Sequence, residues 1–192
     1  MFDKWFRHST LDPLGVSMTG AKLGDRLLVV GCRDPKLIAL LAKKTGLTGR
    51  ACAVDDSPGR VKDAERAAAE EGVLIEAISA PLYALPFDAD AFDVVVVRNV
   101  LLDVDPSARV SIVGQALRVL RPGGRVILIE PSGRGAGGGF TALFQSKPPP
   151  EPSPDAQALC GALQQIGFVA VRAIAERERL LFVEGVKRAG HN

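Results

Sequence analysis

Short apolar runs alternate with amphipathic segments along most of this chain, and the alternation predicts its elements. Arg26 to Gly31 (Arg-Leu-Leu-Val-Val-Gly) is continuously apolar after its first position, the pattern of a parallel strand buried on both faces. Asp34 and Pro35 then supply an N-cap and a first-turn proline, so a helix is predicted through about Lys44, with Leu37, Leu40 and Leu41 on one face. Arg50 to Val54 reads as a second strand. Ser57-Pro58 opens a second helix that runs through an Ala-rich, charged segment to about Glu71 and stops at Gly72. Val73 to Ile78 and Phe92 to Arg98 read as strands, Pro106 to Leu120 as a helix, and Arg125 to Glu130 as a fifth strand. Strand and helix in strict succession imply a doubly wound α/β sheet, with ligands at the carboxyl ends of the strands near the switch point.

After the fifth strand the pattern changes. Residues 132–154 form a Gly/Pro-rich loop, Gly-rich over Ser132 to Gly139 and Pro-rich over Lys147 to Pro154, with one turn of helix around Phe140 to Phe144. The glycines read as a connector, because a phosphate cradle needs a helix directly after it and the prolines deny one. Asp155 to Ile166 is predicted as a final helix. Phe168 to Ala175 and Arg179 to Val186 read as two strands joined by a tight turn at Glu176-Arg177-Glu178. Such a terminal antiparallel hairpin departs from the repeating βα units of a nicotinamide-binding domain.

Composition narrows the picture. A chain of 192 residues, 47% hydrophobic, is read as one domain over residues 1–192, with an N-terminal arm over 1–22. Its 24 basic and 22 acidic residues are interspersed, so nothing in bulk charge calls for nucleic acid or a membrane surface. Three cysteines without C-x-x-C spacing, and histidines only at His8 and His191, support neither a disulfide framework nor a metal centre. The charged start Met1-Phe2-Asp3-Lys4 is unlike a signal peptide, and no apolar run reaches the roughly 18 to 20 residues that span a bilayer. A cytoplasmic location is the expectation.

Two motifs go further. Leu85-Pro86-Phe87-Asp88-Ala89-Asp90-Ala91-Phe92-Asp93-Val94-Val95-Val96-Val97, followed by Leu117-Arg118-Val119-Leu120-Arg121-Pro122-Gly123-Gly124-Arg125-Val126-Ile127-Leu128-Ile129-Glu130, resembles the second half of the cofactor-binding core of class I S-adenosylmethionine (SAM) dependent methyltransferases of the small-molecule type. The resemblance spans about Leu23 to Lys187. It implies a Rossmann-like, mostly parallel seven-stranded sheet closed by the C-terminal antiparallel hairpin. It also implies methyl transfer from SAM.

The first half of the core is degenerate. Where the family carries Asp-x-Gly-x-Gly-x-Gly after the first strand, this chain has Val29, Gly31, Arg33 and Pro35, and only Gly31 remains. Side chains there hold a ligand off the backbone, and proline removes an N–H donor. The resemblance places Asp55 as the acceptor for the ribose hydroxyls, a task that suits an acceptor-only carboxylate; Asp55, Asp56 and Ser57 also suit the cap of the next helix. Pro81 stands where the family has an Asp for the adenine amino group, leaving Tyr83 or a backbone group as substitute, with Leu85 packing beside the adenine pocket. Arg33 is suited either to the methionine carboxylate or to pairing with an acid and filling the groove.

At the end of the fourth strand, Asn99 and Asp103 are the candidate catalytic residues, and both suit local caps equally well. Methyl transfer from a sulfonium is an in-line displacement that needs alignment and a dry site more than an acid, base or metal. A nicotinamide enzyme fits Gly31 and Asp55 by spacing but lacks the remaining glycines. The rival to the enzyme is a non-catalytic methyltransferase-like module binding a protein partner or a second copy of itself as a homodimer. The expected partner is thus a small-molecule substrate or a protein, with weak SAM binding.

Overall fold

The computed structural model describes residues 13–132 and 154–190. The arm before residue 13 and most of the Gly/Pro-rich loop, with its predicted turn at 140–144, lie outside the described residues. Helix α1 is Leu14–Thr19, followed by β1 Arg26–Val30, α2 Pro35–Thr45, β2 Arg50–Asp55, α3 Pro58–Glu70, β3 Glu76–Ser79, β4 Phe92–Arg98, α4 Pro106–Val119, β5 Leu120–Pro131, α5 Pro154–Ile166, β6 Val169–Arg177 and β7 Leu180–Val186. Among the described residues no helix is long and apolar enough to cross a membrane.

The seven strands form one sheet in the order β3-β2-β1-β4-β5-β7-β6. The first five are parallel, and β7 runs antiparallel to both β5 and β6. Alternate residues of each central strand point to opposite faces, so one continuous apolar run feeds two cores. Leu28, Val30, Val95, Val97, Val126 and Leu128 pack with Ile112 and Val113 of α4 and Leu159 and Leu163 of α5. Leu27, Val29, Val94, Val96, Ile127 and Ile129 pack with Val16 of α1, Leu37 and Leu41 of α2 and Ala64 of α3. Chain order reverses between β1 and β4, and a crevice opens above that seam.

Three boundaries differ from the sequence pattern. The third strand begins at Glu76 instead of Val73, because Val73 N–H donates to Ala68 O and Gly72 sits at φ +67°, closing the end of α3 before the chain can join the sheet. The fifth strand begins at Leu120, which pairs with Phe92; a register shift between Phe92 and Val94 absorbs the Arg121-Pro122-Gly123-Gly124 turn. The terminal hairpin turns at Glu178-Arg179, both at positive φ (53° and 61°), and β6 continues through Arg177. This is the backbone of a primed two-residue turn, built here without glycine. The arm also holds the short helix α1, which the pattern did not indicate.

Candidate cofactor cleft

The seam above β1 and β4 is set by one close approach. Gly31 has φ +94°, and a Cβ there would lie 2.4 Å from Arg98 O and 2.6 Å from the Val100 side chain. Glycine is therefore required by packing of the chain against itself, independent of any ligand. Its N–H donates to Val54 O at 2.8 Å, fastening β1 to β2 at the same level.

Beside it opens a cleft of about 530 Å³, lined on one side by Arg33, Asp55, Asp56 and Arg60, on another by Ser79 to Tyr83, and on the third by Asn99, Asp103 and the start of α4. The volume falls within the range of small-molecule sites. It brings together Arg33, Asp55, Tyr83, Asn99 and Asp103 from four separate loops. It does not include Leu85, which is 5% exposed in the α4-side core, its N–H donating to Gln115 Oε1 and its carbonyl accepting from Arg118 Nη2. Gly31 is likewise absent from the lining.

Asp55 is the organising group of the cleft floor and is only 2% exposed. Its Oδ2 accepts from Cys32 N–H at 2.7 Å, and its Oδ1 from Ser57 N–H and Arg60 Nε, both at 2.8 Å. Burial pushes its pKa up, but these donors outweigh it and hold the carboxyl below the ordinary range. Asp56 differs in exposure: its side chain is 63% accessible, and Oδ1 accepts from Arg60 Nη2 at 2.7 Å. The cap of α3 is Ser57, whose hydroxyl accepts from Arg60 N–H. Cys32, buried beside Asp55, has its thiol pushed up to about 12 by burial and then by the carboxylate, so it is no nucleophile at neutral pH.

On the opposite wall, Asn99 adopts φ 52°, donates its N–H to Ile129 O at 3.0 Å and accepts from Arg98 Nη1 at 2.5 Å. The turn that follows is held by a carboxylate the sequence did not single out. Glu130, at the end of β5 and 1% exposed, accepts from Val100 N–H at 2.9 Å, Leu101 N–H at 3.0 Å and Leu102 N–H at 3.4 Å. Burial raises its pKa despite those donors. Its signal in sequence was one acid closing the apolar run Ile127-Leu128-Ile129. Arg60 and Arg98 were also missed, although Arg60 stands four residues after Asp56, a helical i, i+4 spacing that could have signalled it; Arg98's partner Asp34 is 64 positions away. Arg98 reaches Asp34 Oδ2 at 3.4 Å, while Asp34 Oδ1 caps α2 through Leu37 N–H at 3.2 Å.

The two walls meet at the mouth. Arg33, from the turn after β1, pairs with Asp103, from the turn after β4, at 2.5 Å. Of the two fates open to Arg33, the structure shows it paired with an acid. Tyr83 stands on the wall that follows β3, 65% exposed.

With this geometry in view, comparison with known proteins places the chain. A family model described as methyltransferase domain matches residues 28–128, which run from β1 through α4 into β5 and include every wall of the cleft. The chain belongs to the class I SAM-dependent methyltransferases. The chain is 31% identical over 128 residues to the chloroplastic 2-phytyl-1,4-beta-naphthoquinone methyltransferase of Arabidopsis thaliana, covering 65% of this chain and 48% of that protein. It is 29% identical over 117 residues to the ubiquinone/menaquinone biosynthesis C-methyltransferase UbiE of Pseudomonas fluorescens, covering 60% of this chain and 45% of that one. The chain thus spans about half the length of these curated relatives. In three dimensions it resembles a SAM-dependent methyltransferase from Aquifex aeolicus, with a TM-score of 0.71 at 18% identity, covering 89% of this chain and 86% of that one.

Proposed function

We propose that this methyltransferase moves a methyl group from SAM to a small acceptor bound against the β4 wall. The observation that carries the reading is the cleft itself: a family member holds, at the switch point of its sheet, a cavity of about 530 Å³ with carboxylates on the β2 side and the Arg33–Asp103 pair across its mouth. The residues suit the cofactor chemically. Asp56, exposed beside the buried Asp55, offers an acceptor for ribose hydroxyls; Arg33 offers a partner for the α-carboxylate; Tyr83 and the backbone around Pro81 border an adenine. When bound, SAM supplies an electrophilic methyl on a sulfonium.

The chain's own part is placement. Glu130 holds three successive N–H groups and so orients the turn that carries Asn99 at one end and Asp103 at the other. Leu82 and Ile112, both buried, exclude water from the floor, which favours displacement at the methyl. The names of the relatives point to quinone-type rings as the acceptor class, and we propose such a ring for this chain. A second reading, a methyltransferase-like module without catalysis, is favoured by the pairing of the cleft acids Asp55, Asp56 and Asp103 with arginines of the same chain.

Calorimetric titration with SAM and with its demethylated product, S-adenosylhomocysteine (SAH), separates the two. With loop glycines absent and Pro81 unable to accept from an adenine, several hydrogen bonds of about 1 kcal/mol each are missing, so we expect dissociation constants above micromolar. Methylation of a hydroxylated naphthoquinol supports the enzyme. Absence of all binding at millimolar ligand establishes the module.

A further inference from the structure

The cleft holds three arginine–carboxylate contacts, Arg60 with Asp55 and with Asp56 and Arg33 with Asp103, and the first and last are of different kinds. Arg60 meets Asp55, a carboxylate 2% exposed that also receives the N–H groups of Cys32 and Ser57; withdrawing the guanidinium leaves a buried charge, so this pair is a fixture. Arg33 and Asp103 are 45% and 59% exposed, come from opposite lips of the cleft, and each is the other's one side-chain hydrogen-bond partner among the described residues. An ion pair this exposed is worth at most about a fivefold preference. It is therefore exchangeable.

Much of what else this loop could offer an anion is already committed. Between 31 and 35, Gly31 N–H is spent on Val54 O, Cys32 N–H is spent on Asp55, and Pro35 has no N–H. Asp34 adds a negative charge and caps α2, which removes Leu37 N–H as well. The Arg33 guanidinium is the cationic group of this loop that faces the cleft, and its planar fork matches a carboxylate in two parallel hydrogen bonds.

We infer that Asp103 is a placeholder for the α-carboxylate of the cofactor: Arg33 exchanges from Asp103 to that carboxylate when the cofactor binds, and the freed Asp103 then faces the acceptor beside Asn99. The inference rests on the reading of the cleft as a SAM site. It makes cofactor and acceptor binding cooperative, because an acceptor hydroxyl that donates to Asp103 competes with Arg33 until the cofactor has taken it.

The test uses two ligands, SAH and 5′-methylthioadenosine, which keeps the nucleoside and thioether but lacks the amino-acid end. Both are titrated calorimetrically into the wild type, Asp103→Asn and Arg33→Gln, with thermal unfolding of each variant as a check on folding. Asp103→Asn should bind SAH about two- to fivefold tighter, since the competitor for Arg33 is gone, with 5′-methylthioadenosine unchanged. Arg33→Gln should weaken SAH about tenfold or more, again leaving 5′-methylthioadenosine unchanged. Unchanged or weaker SAH binding by Asp103→Asn overturns the placeholder. So does an Arg33→Gln effect that is equal for the two ligands, because it would report shape instead of a carboxylate. If the wild type binds neither ligand, the cofactor reading itself fails and takes the inference with it.

Discussion

Replacing Asp55 by alanine separates a ligand-binding carboxylate from one that holds the fold, and the structure sets the magnitude. The side chain is 2% exposed and satisfies the N–H of Cys32, itself 1% exposed, together with the N–H of Ser57 and Nε of Arg60. Orphaning one buried N–H costs about 1–3 kcal/mol. The half-buried Ser57 N–H contributes roughly 1 kcal/mol, and the Arg60 pair less than about 1 kcal/mol because its guanidinium is partly in water. Together these come to about 3 kcal/mol, and a domain of this size loses about 2–4 °C of melting temperature per kcal/mol. Asp55→Ala should therefore lower the melting temperature without ligand by roughly 6–12 °C. Asp56→Ala, whose carboxylate is 63% exposed, should stay within about 2 °C, followed in parallel by circular dichroism and by urea titration. An Asp55→Ala protein that melts with the wild type would refute the argument that this carboxylate is a structural node.

Acid stability should report Asp93, the acid at the lower end of β4. Burial pushes its pKa up, but the Arg26 side chain and N–H and the Arg121 guanidinium outweigh that and hold it at about 2. A depressed carboxyl contributes stability above its unfolded pKa near 4 and loses it as pH falls toward 2, so roughly 2 kcal/mol should disappear across that window and Asp93→Asn should flatten it; unfolding free energies of the two proteins that fall in parallel would count against this. Gly31→Ala combines a φ of +94° with a Cβ 2.4 Å from Arg98 O, and should cost more than about 2 kcal/mol in chemical denaturation. A neutral result would show that β1 and β4 can part without cost.

Much of the fold was legible in the order of residues because it depends on local periodicity. The apolar runs at 26–31 and 92–98 and the Asp34-Pro35 and Ser57-Pro58 starts carry their signal within a few positions and appear where the pattern put them, and the terminal hairpin is present with its turn shifted to Glu178-Arg179. Errors fell where a hydrogen bond from a neighbouring element overrode the local pattern. Val73 gives its N–H to the end of α3, and Leu120 pairs with Phe92 across a bulge, so β3 starts late and β5 early.

The site divides in the same way. Gly31, Arg33, Asp55, Asn99 and Asp103 could be proposed from the family resemblance, which sets them at strand ends where a doubly wound sheet takes its ligands. Sequence by itself thus determined the sheet, helices α2 to α5 and which turns border the cleft. Only the tertiary structure decided what the side chains in those turns do. The Arg33–Asp103 pair joins residues separated by 70 positions, Asp55 reaches Cys32 across 23, and Glu130 reaches Val100 across 30. Whether a carboxylate is spent on the chain's own donors or left for a ligand depends on which N–H groups arrive beside it and how much water they exclude. Those are properties of strands brought side by side, and no local pattern of residues contains them.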